Sequence, residues 1–377
     1  MELLQPRISK ADTAGQLPEV SVVILNWNGK AFLEKFLPSV LASTYRNLRI
    51  VLADNHSSDE SVKYVKQFFP SIEIIENSSN DGFAKGYNSA LQKINTDYYV
   101  LLNSDVEVSP GWIEPVIELM ETDEAIAACQ PKILSYSHKN YFEYAGAGGG
   151  WIDSLGYPFA RGRVFDYCEE DKGQYQDASA CFWASGAAMF VKADLYHRFG
   201  GFDEDHWAHW EEIDLCWRMK RAGYKVVVQP QGVARHVGGG TLEYLHPRKA
   251  YLNFRNSLFT LFKNEKTAKL LWLSPLRLLL DGAAAAMFLK QKHFKHITAI
   301  LKAHFHFYAA IPSLLHKRKK YAQIIEKERI GAENTAGILR GSIVWAYYIG
   351  KKKYFKDLFS KKASVVVGDD DEDEGES

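Results

Sequence analysis

The chain has 377 residues, 46% of them hydrophobic, enough for one large domain, or a domain with an appendage, around a sizeable core. Lys and Arg number 46 and Asp and Glu also 46, but the neutral total hides a basic rear, with 21 basic against 6 acidic residues from Lys263 to Lys362, and an acidic tail from Asp369. Four cysteines without paired spacing exclude a disulfide framework and zinc or thiol-redox motifs, and Met1 to Pro18 hold no apolar segment of secretory type, so the expected setting is reducing and cytoplasmic.

Val20 to Leu25 predicts a β-branched first strand for the middle of a sheet, closed by the polar turn Asn26-Trp27-Asn28-Gly29. Phe32 to Leu41 then has helical apolar spacing. Leu48 to Ala53 predicts a second strand, followed by Asp54 to Glu60 and a helix through Val62, Val65 and Phe69, with Ser57 and Glu60 at capping-box spacing. Ile72 to Ile75 is a third strand, and Asn80 to Asn88 leads into a helix ending near Ile94. Tyr98 to Leu102 is a continuous apolar run that breaks into Asn103-Ser104-Asp105, as a buried parallel strand does at its ligand-facing end. The alternation of strand and helix with short connections predicts an α/β fold built on a doubly wound, mostly parallel sheet.

Trp112 to Met120 predicts a helix and Ala125 to Ile133 a strand. Tyr141 to Arg163 is rich in Gly and aromatics and lacks periodicity, which predicts a mobile flap over the sheet edge. Phe182 to Val191 is expected as a strand, and Val226 to Val228 as the last one, leading to His236. Between them, Glu211 and Glu212 open a helix that Gly223 ends. Acidic residues there favour the helix dipole without any catalysis, and Asp214 and Arg218 have the spacing of an internal ion pair.

Polar clusters thus follow four strands, and parallel strands deliver their carboxyl ends to one rim. Taken in order, Val22 to Asn28, Asp54-Asn55-x-Ser57-x-Asp59, Asn80-x-Gly82-Phe83-Ala84-x-Gly86-x-Asn88 and Leu102-Asn103-Ser104-Asp105 resemble glycosyltransferase family 2. Ser185-Gly186-Ala187, Gly200-Gly201-Phe202-Asp203, Trp210-Glu211-Glu212-x-Asp214-Leu215-Cys216-x-Arg218 and His236 extend the match over roughly residues 18 to 264. The flavour is that of the rhamnosyltransferase-like branch building surface polysaccharides.

The resemblance implies an inverting GT-A enzyme using a nucleotide-diphosphate sugar, with UDP or dTDP as carrier and a glycan or lipid-linked acceptor. Asn26 and Asp54 would hold the nucleotide, while Asn80, Gly82, Asn88 and Asn103 would line the diphosphate and sugar. Asp105 and His236 would ligate Mn²⁺ or Mg²⁺, a hard oxygen and an imidazole being suited to either ion. The metal motif reads Asn-Ser-Asp, with one carboxylate in place of the usual two. Glu211 or Glu212 would be the base that takes the acceptor proton, and Trp207 and Trp210 would stack on an acceptor sugar. The Gln-x-x-Arg-Trp signature of processive synthases is missing, so single-sugar transfer is expected. Two other readings compete: a scaffold that kept the fold without catalysis, and a sugar nucleotidyltransferase, whose basic Gly-rich phosphate loop has no counterpart at Asn26 to Gly29.

Residues 265 to 362 form a basic, amphipathic C-terminal appendage. Ala268 to Leu289 is apolar but interrupted by Pro275, Arg277 and Asp281, which predicts an interfacial helix over a spanning one. Lys317 to Lys320 and Lys351 to Lys353 flank aromatic runs at Phe305 to Tyr308 and Ile343 to Tyr348, a pattern suited to the anionic inner face of the cytoplasmic membrane or to packing on the catalytic domain. No nucleic-acid module accompanies these charges. Residues 363 to 377 are expected to be disordered and solvated.

Overall fold

The computed structural model describes residues 17–238 and 246–359; the expected acidic tail lies outside them. In its first part, strands β1 (Val20–Asn26), β2 (Leu48–Asp54), β3 (Glu73–Glu76) and β4 (Tyr98–Asn103) alternate with helices α1 (Lys30–Leu41), α2 (Ser61–Phe68) and α3 (Phe83–Leu91). Next come β5 (Val106–Val108), α4 (Glu114–Glu121), β6 (Ile126–Ser135) and the short strands β7 (Gly150–Asp153), β8 (Pro158–Ala160), β9 (Arg163–Val164) and β10 (Tyr167–Cys168). The catalytic-looking half closes with β11 (Ser179–Cys181), β12 (Ala188–Lys192), α5 (Ala193–Arg198), α6 (Glu211–Arg221) and β13 (Lys225–His236). The rear holds α7 (Pro247–Asn264), α8 (Thr267–Lys290), α9 (Phe294–Lys327), β14 (Ile338–Leu339) and α10 (Ile343–Tyr348).

The large sheet runs β11-β13-β6-β12-β4-β1-β2-β3, with β5 paired to β13. Its β3-β2-β1-β4 half is parallel, β12 enters antiparallel between β4 and β6, and β13 is parallel to β6. Because β1 and β4 carry apolar residues on both faces, they need cover on both. Leu33 and Leu37 of α1 and Ile117 of α4 supply it on one side, and Tyr87 of α3, Tyr196 of α5 and Leu215 of α6 on the other. The register pairs Asn26 with Asp54 and Leu25 with Asn103, which sets three polar strand ends on one rim.

Two expectations change here, and one left open is narrowed. Of the stretch from Phe182 to Val191, only the part from Ala188 onward is strand, within β12. Ser185 folds the rest away: its hydroxyl donates to Ala145 O at 2.5 Å and its carbonyl accepts from Ala188 N at 3.1 Å. Tyr141 to Arg163 is no mobile flap but feeds a second sheet, β10-β9-β8-β7-β14. Its glycines serve close packing, since a Cβ on Gly150 would sit 2.1 Å from the Trp183 ring. Finally, Ile343 to Tyr348 covers that second sheet, with Ile343 buried alongside Phe159, Val164 and Phe355. Within the basic run, Lys317 turns inward to Asp203 and Asp205, at 2.5 and 2.6 Å, and Arg318 donates to Phe262 O, leaving Lys319 and Lys320 exposed.

Candidate active site

The rim begins at β1 and β2. Asn26 Nδ2 donates to Asp54 Oδ1 at 2.9 Å, and Ser57 closes the turn by donating from its backbone N–H to Asp54 Oδ2 at 2.8 Å. Asn26 Oδ1 is buried without a hydrogen-bond partner. A side chain at Gly29 would collide with that oxygen at 2.4 Å, so only glycine leaves it free.

The loop before α3 is held by amides. Asn77 donates to Asn55 Oδ1 at 2.8 Å, and Asn55 donates to Gly82 O at 3.1 Å and to Asn80 Oδ1 at 3.4 Å. Gly82 has φ +94°, and a Cβ there would strike Trp207 at 2.6 Å, so glycine is required twice over. Trp207 O accepts from Phe83 N at 2.6 Å, which satisfies the start of α3 and joins this loop to the segment before α6. The Trp207 ring lies under the Arg248 guanidinium, 4.1 Å from its centroid. Trp210 is buried in the core, so its ring is a wall and not an open platform for a sugar.

Asn88, expected along the diphosphate, has its amide engaged within the protein. Its oxygen accepts from Tyr196 OH (2.7 Å) and Phe202 N (3.0 Å), while its amide donates to Phe202 O (2.9 Å) and Glu204 Oε1 (3.1 Å). Every group of that amide is committed to pinning the Gly201–Phe202 turn.

At the end of β4, Asp105 Oδ1 lies 3.2 Å from His236 Nε2 on β13, and Asn103 Nδ2 lies 3.4 Å from the same nitrogen. Glu143, which sequence reasoning missed, faces the other side of the ring, its Oε2 3.3 Å from His236 Nδ1. All three charged groups are buried. Burial alone would lower the imidazolium pKa; Glu143 and Asp105 outweigh it and push His236 up to about 10. Burial likewise works against ionisation of Asp105, and the His236 charge reverses it, holding that carboxyl below its usual range. An Asp105 oxygen and, once its proton is lost, the His236 Nε2 are ligand types suited to Mn²⁺ or Mg²⁺, and Glu143 lies on the other side of the ring.

A second acidic cluster, Asp203, His206 and Asp214, has metal-like spacing, yet Lys263 already fills it. Its ammonium is 2.5 Å from Asp203 and 3.0 Å from Asp214, and Arg218 pairs with Asp214 at 3.0 Å as its helical spacing predicts. Arg218 also donates to Phe199 O and Gly201 O, and Asn256 of α7 donates to the carbonyls of His206, Ala208 and His209. The rear helices thereby fix the loop that presents Glu211 and Glu212.

Glu211 and Glu212 sit in the first turn of α6, with Glu212 the less buried. Each has a buried Oε2 without a hydrogen-bond partner. Burial and then the Glu212 charge hold the Glu211 carboxyl far above the usual range, and burial pushes Glu212 up to about 7. Glu212 faces Gly186, whose neighbour Ala187 accepts from Asn103 N at 3.1 Å.

A mixed sheet with this order, its polar groups gathered at the ends of β1, β2 and β4, is the GT-A architecture of nucleotide-sugar transferases. A solved structure of GalNAc-T7 with UDP, GalNAc and Mn²⁺ shares the fold at TM-score 0.50 and 17% identity, over 66% of this chain and 48% of that one. Residues 21–195 match the glycosyl transferase family 2 model, and the chain carries a domain of that family. It is similar to an N-acetylglucosaminyl-diphospho-decaprenol L-rhamnosyltransferase of Mycobacterium tuberculosis, 24% identical over 70% of this chain and 90% of that protein. It is also similar to a pre-mycofactocin glycosyltransferase of Mycobacterium tuberculosis, 26% identical over 67% of this chain and half of that protein. The chain is a nucleotide-sugar glycosyltransferase.

Proposed function

We propose that this enzyme moves a single sugar, with inversion, from a UDP- or dTDP-sugar to a glycan or lipid-linked acceptor in cell-surface polysaccharide synthesis. The Glu211–Glu212 pair carries this reading, because two buried carboxylates with no cation beside them among the described residues have pKa values set apart by their surroundings, the arrangement of acid–base sites. Glu211, the more enclosed, stays protonated. Glu212, poised near neutrality, takes the proton of the acceptor hydroxyl as its oxygen bonds to the anomeric carbon and the carbon–oxygen bond to diphosphate breaks.

Asn26 Oδ1 and Asp54 supply acceptors for the base or ribose, and the Asn80–Gly82 loop lets the backbone approach the diphosphate. A bound Mn²⁺ or Mg²⁺, held by Asp105 and His236, would neutralise the charge gathering on the departing diphosphate. The lipid-linked acceptor is supported by the rhamnosyltransferase relative, whose name gives a diphospho-decaprenol substrate. All four cysteines are free thiols, which suits a reaction on the cytoplasmic side. Incubating the protein with UDP- and dTDP-sugars, Mn²⁺ and polyprenyl-diphosphate-linked acceptors tests this. One product sugar of inverted anomeric configuration, with release of nucleoside diphosphate, is expected; a retained configuration or release of pyrophosphate would refute it.

A further inference from the structure

Helix α8 is inside out. From Leu270 to Leu289 its only charged residues are Arg277 and Asp281, 2% and 1% exposed. Arg277 donates to Ser257 Oγ at 3.0 Å and Leu155 O at 3.2 Å, and Asp281 lies 3.0 Å from His304 Nε2. The opposite face shows Leu271 at 77% and Leu279 at 71% exposure, with Leu278 and Met287 in the same helical stripe. Helix α9 continues the surface through Leu301, Phe305 and Tyr308, at i, i+4 and i+7, with Phe305 70% exposed. Soluble helices keep such faces inward.

Charge names what covers this face. From Gly282 to Ile325 there are eight Lys or Arg and no Asp or Glu, and Lys290, Lys292, Lys295, Lys302, Lys319 and Lys320 are exposed. We infer that the outer face of α8 and α9 rests in the plane of an anionic bilayer, its apolar side chains among the acyl chains and its lysines at the lipid phosphates. A second copy would press lysine-rimmed face against lysine-rimmed face. At 24 residues α8 is long and apolar enough to cross a membrane, but crossing would strip Arg277 and Asp281 of the partners that hold them.

Vesicle binding needs no sugar transfer, so this inference stands apart from the proposed reaction. The test is flotation of the full chain with vesicles of phosphatidylcholine alone or mixed with phosphatidylglycerol. Two variants accompany it: Leu271→Asp with Leu279→Asp, and Lys290→Glu with Lys292→Glu. All altered positions are exposed, and circular dichroism confirms that each variant keeps the fold. Flotation only with the anionic vesicles, release by carbonate, and a loss of about tenfold or more in each variant is expected. Failure of the folded wild-type chain to float, or equal flotation of the leucine variant, would overturn the inference. So would retention after carbonate, which indicates a spanning helix, or a wild-type dimer that the leucine variant dissociates without any vesicle binding.

Discussion

Helix α6 carries three carboxylates within four residues, and they sit in opposite electrostatic surroundings. Asp214 meets Arg218, Lys263 and the Asn264 amide; burial works against its charge, and Lys263 followed by Arg218 reverses that to hold its carboxyl below the usual range. Glu211 and Glu212, in the same turn, have buried oxygens without a partner, and burial drives both upward. Compensated charge is the mark of architecture: the Asp214 cluster holds the loop in place. Glu211 and Glu212 lack such compensation and are held buried at a cost in stability, which the proposed acid–base role would account for.

If that division is right, the two sets of carboxylates fail in different ways. Glu212→Gln should lower sugar transfer by roughly 10²–10⁴-fold, the usual worth of a general base, while the denaturation midpoint holds or rises. Steady-state transfer beside a urea melt reads both. Lys263→Met should do the reverse, costing about 3–5 kcal/mol because Asp203 and Asp214 are left short of a buried cation. A melt showing no loss would place Lys263 outside the architecture. Asn88→Ala should cost about 1–3 kcal/mol by orphaning its buried partners, yet leave nucleotide affinity within about twofold; a large fall in affinity would return Asn88 to the diphosphate.

The smallest effect is in the pH profile. If Glu212 is the base it must be deprotonated to act, and since burial pushes its carboxyl up to about 7, kcat/KM should fall tenfold per unit below about that pH. Above it the rate should level off. An acid limb at the ordinary carboxylate range would show that the base sits in water.

Much of the rim was legible beforehand. Continuous apolar runs ending in Asn26, Asp54 and Asn103 mark strand ends without ambiguity, and Asp214 with Arg218 is visible as helical spacing. What escaped reading depends on partners far along the chain. Glu143 gains its meaning only from His236, and Lys263 and Lys317 only from Asp203, 60 and 114 residues away. Asn88 and Trp210 have the right chemistry for sugar or phosphate, but Tyr196, Phe202 and the core claim them. The second sheet was unreadable for a simpler reason: its strands are two to four residues long, too short for any period to show.

The Asp105–His236 corner is the hinge of the proposed function, since the cation proposed there would take the place of the proton between the two side chains. The decisive measurement is calorimetric titration of UDP and dTDP into the purified chain, with and without Mn²⁺, repeated for Asp105→Ala. Mn²⁺-dependent binding of one nucleotide, lost in Asp105→Ala, is the predicted result. Equal binding by both proteins, or no dependence on the metal, would contradict it.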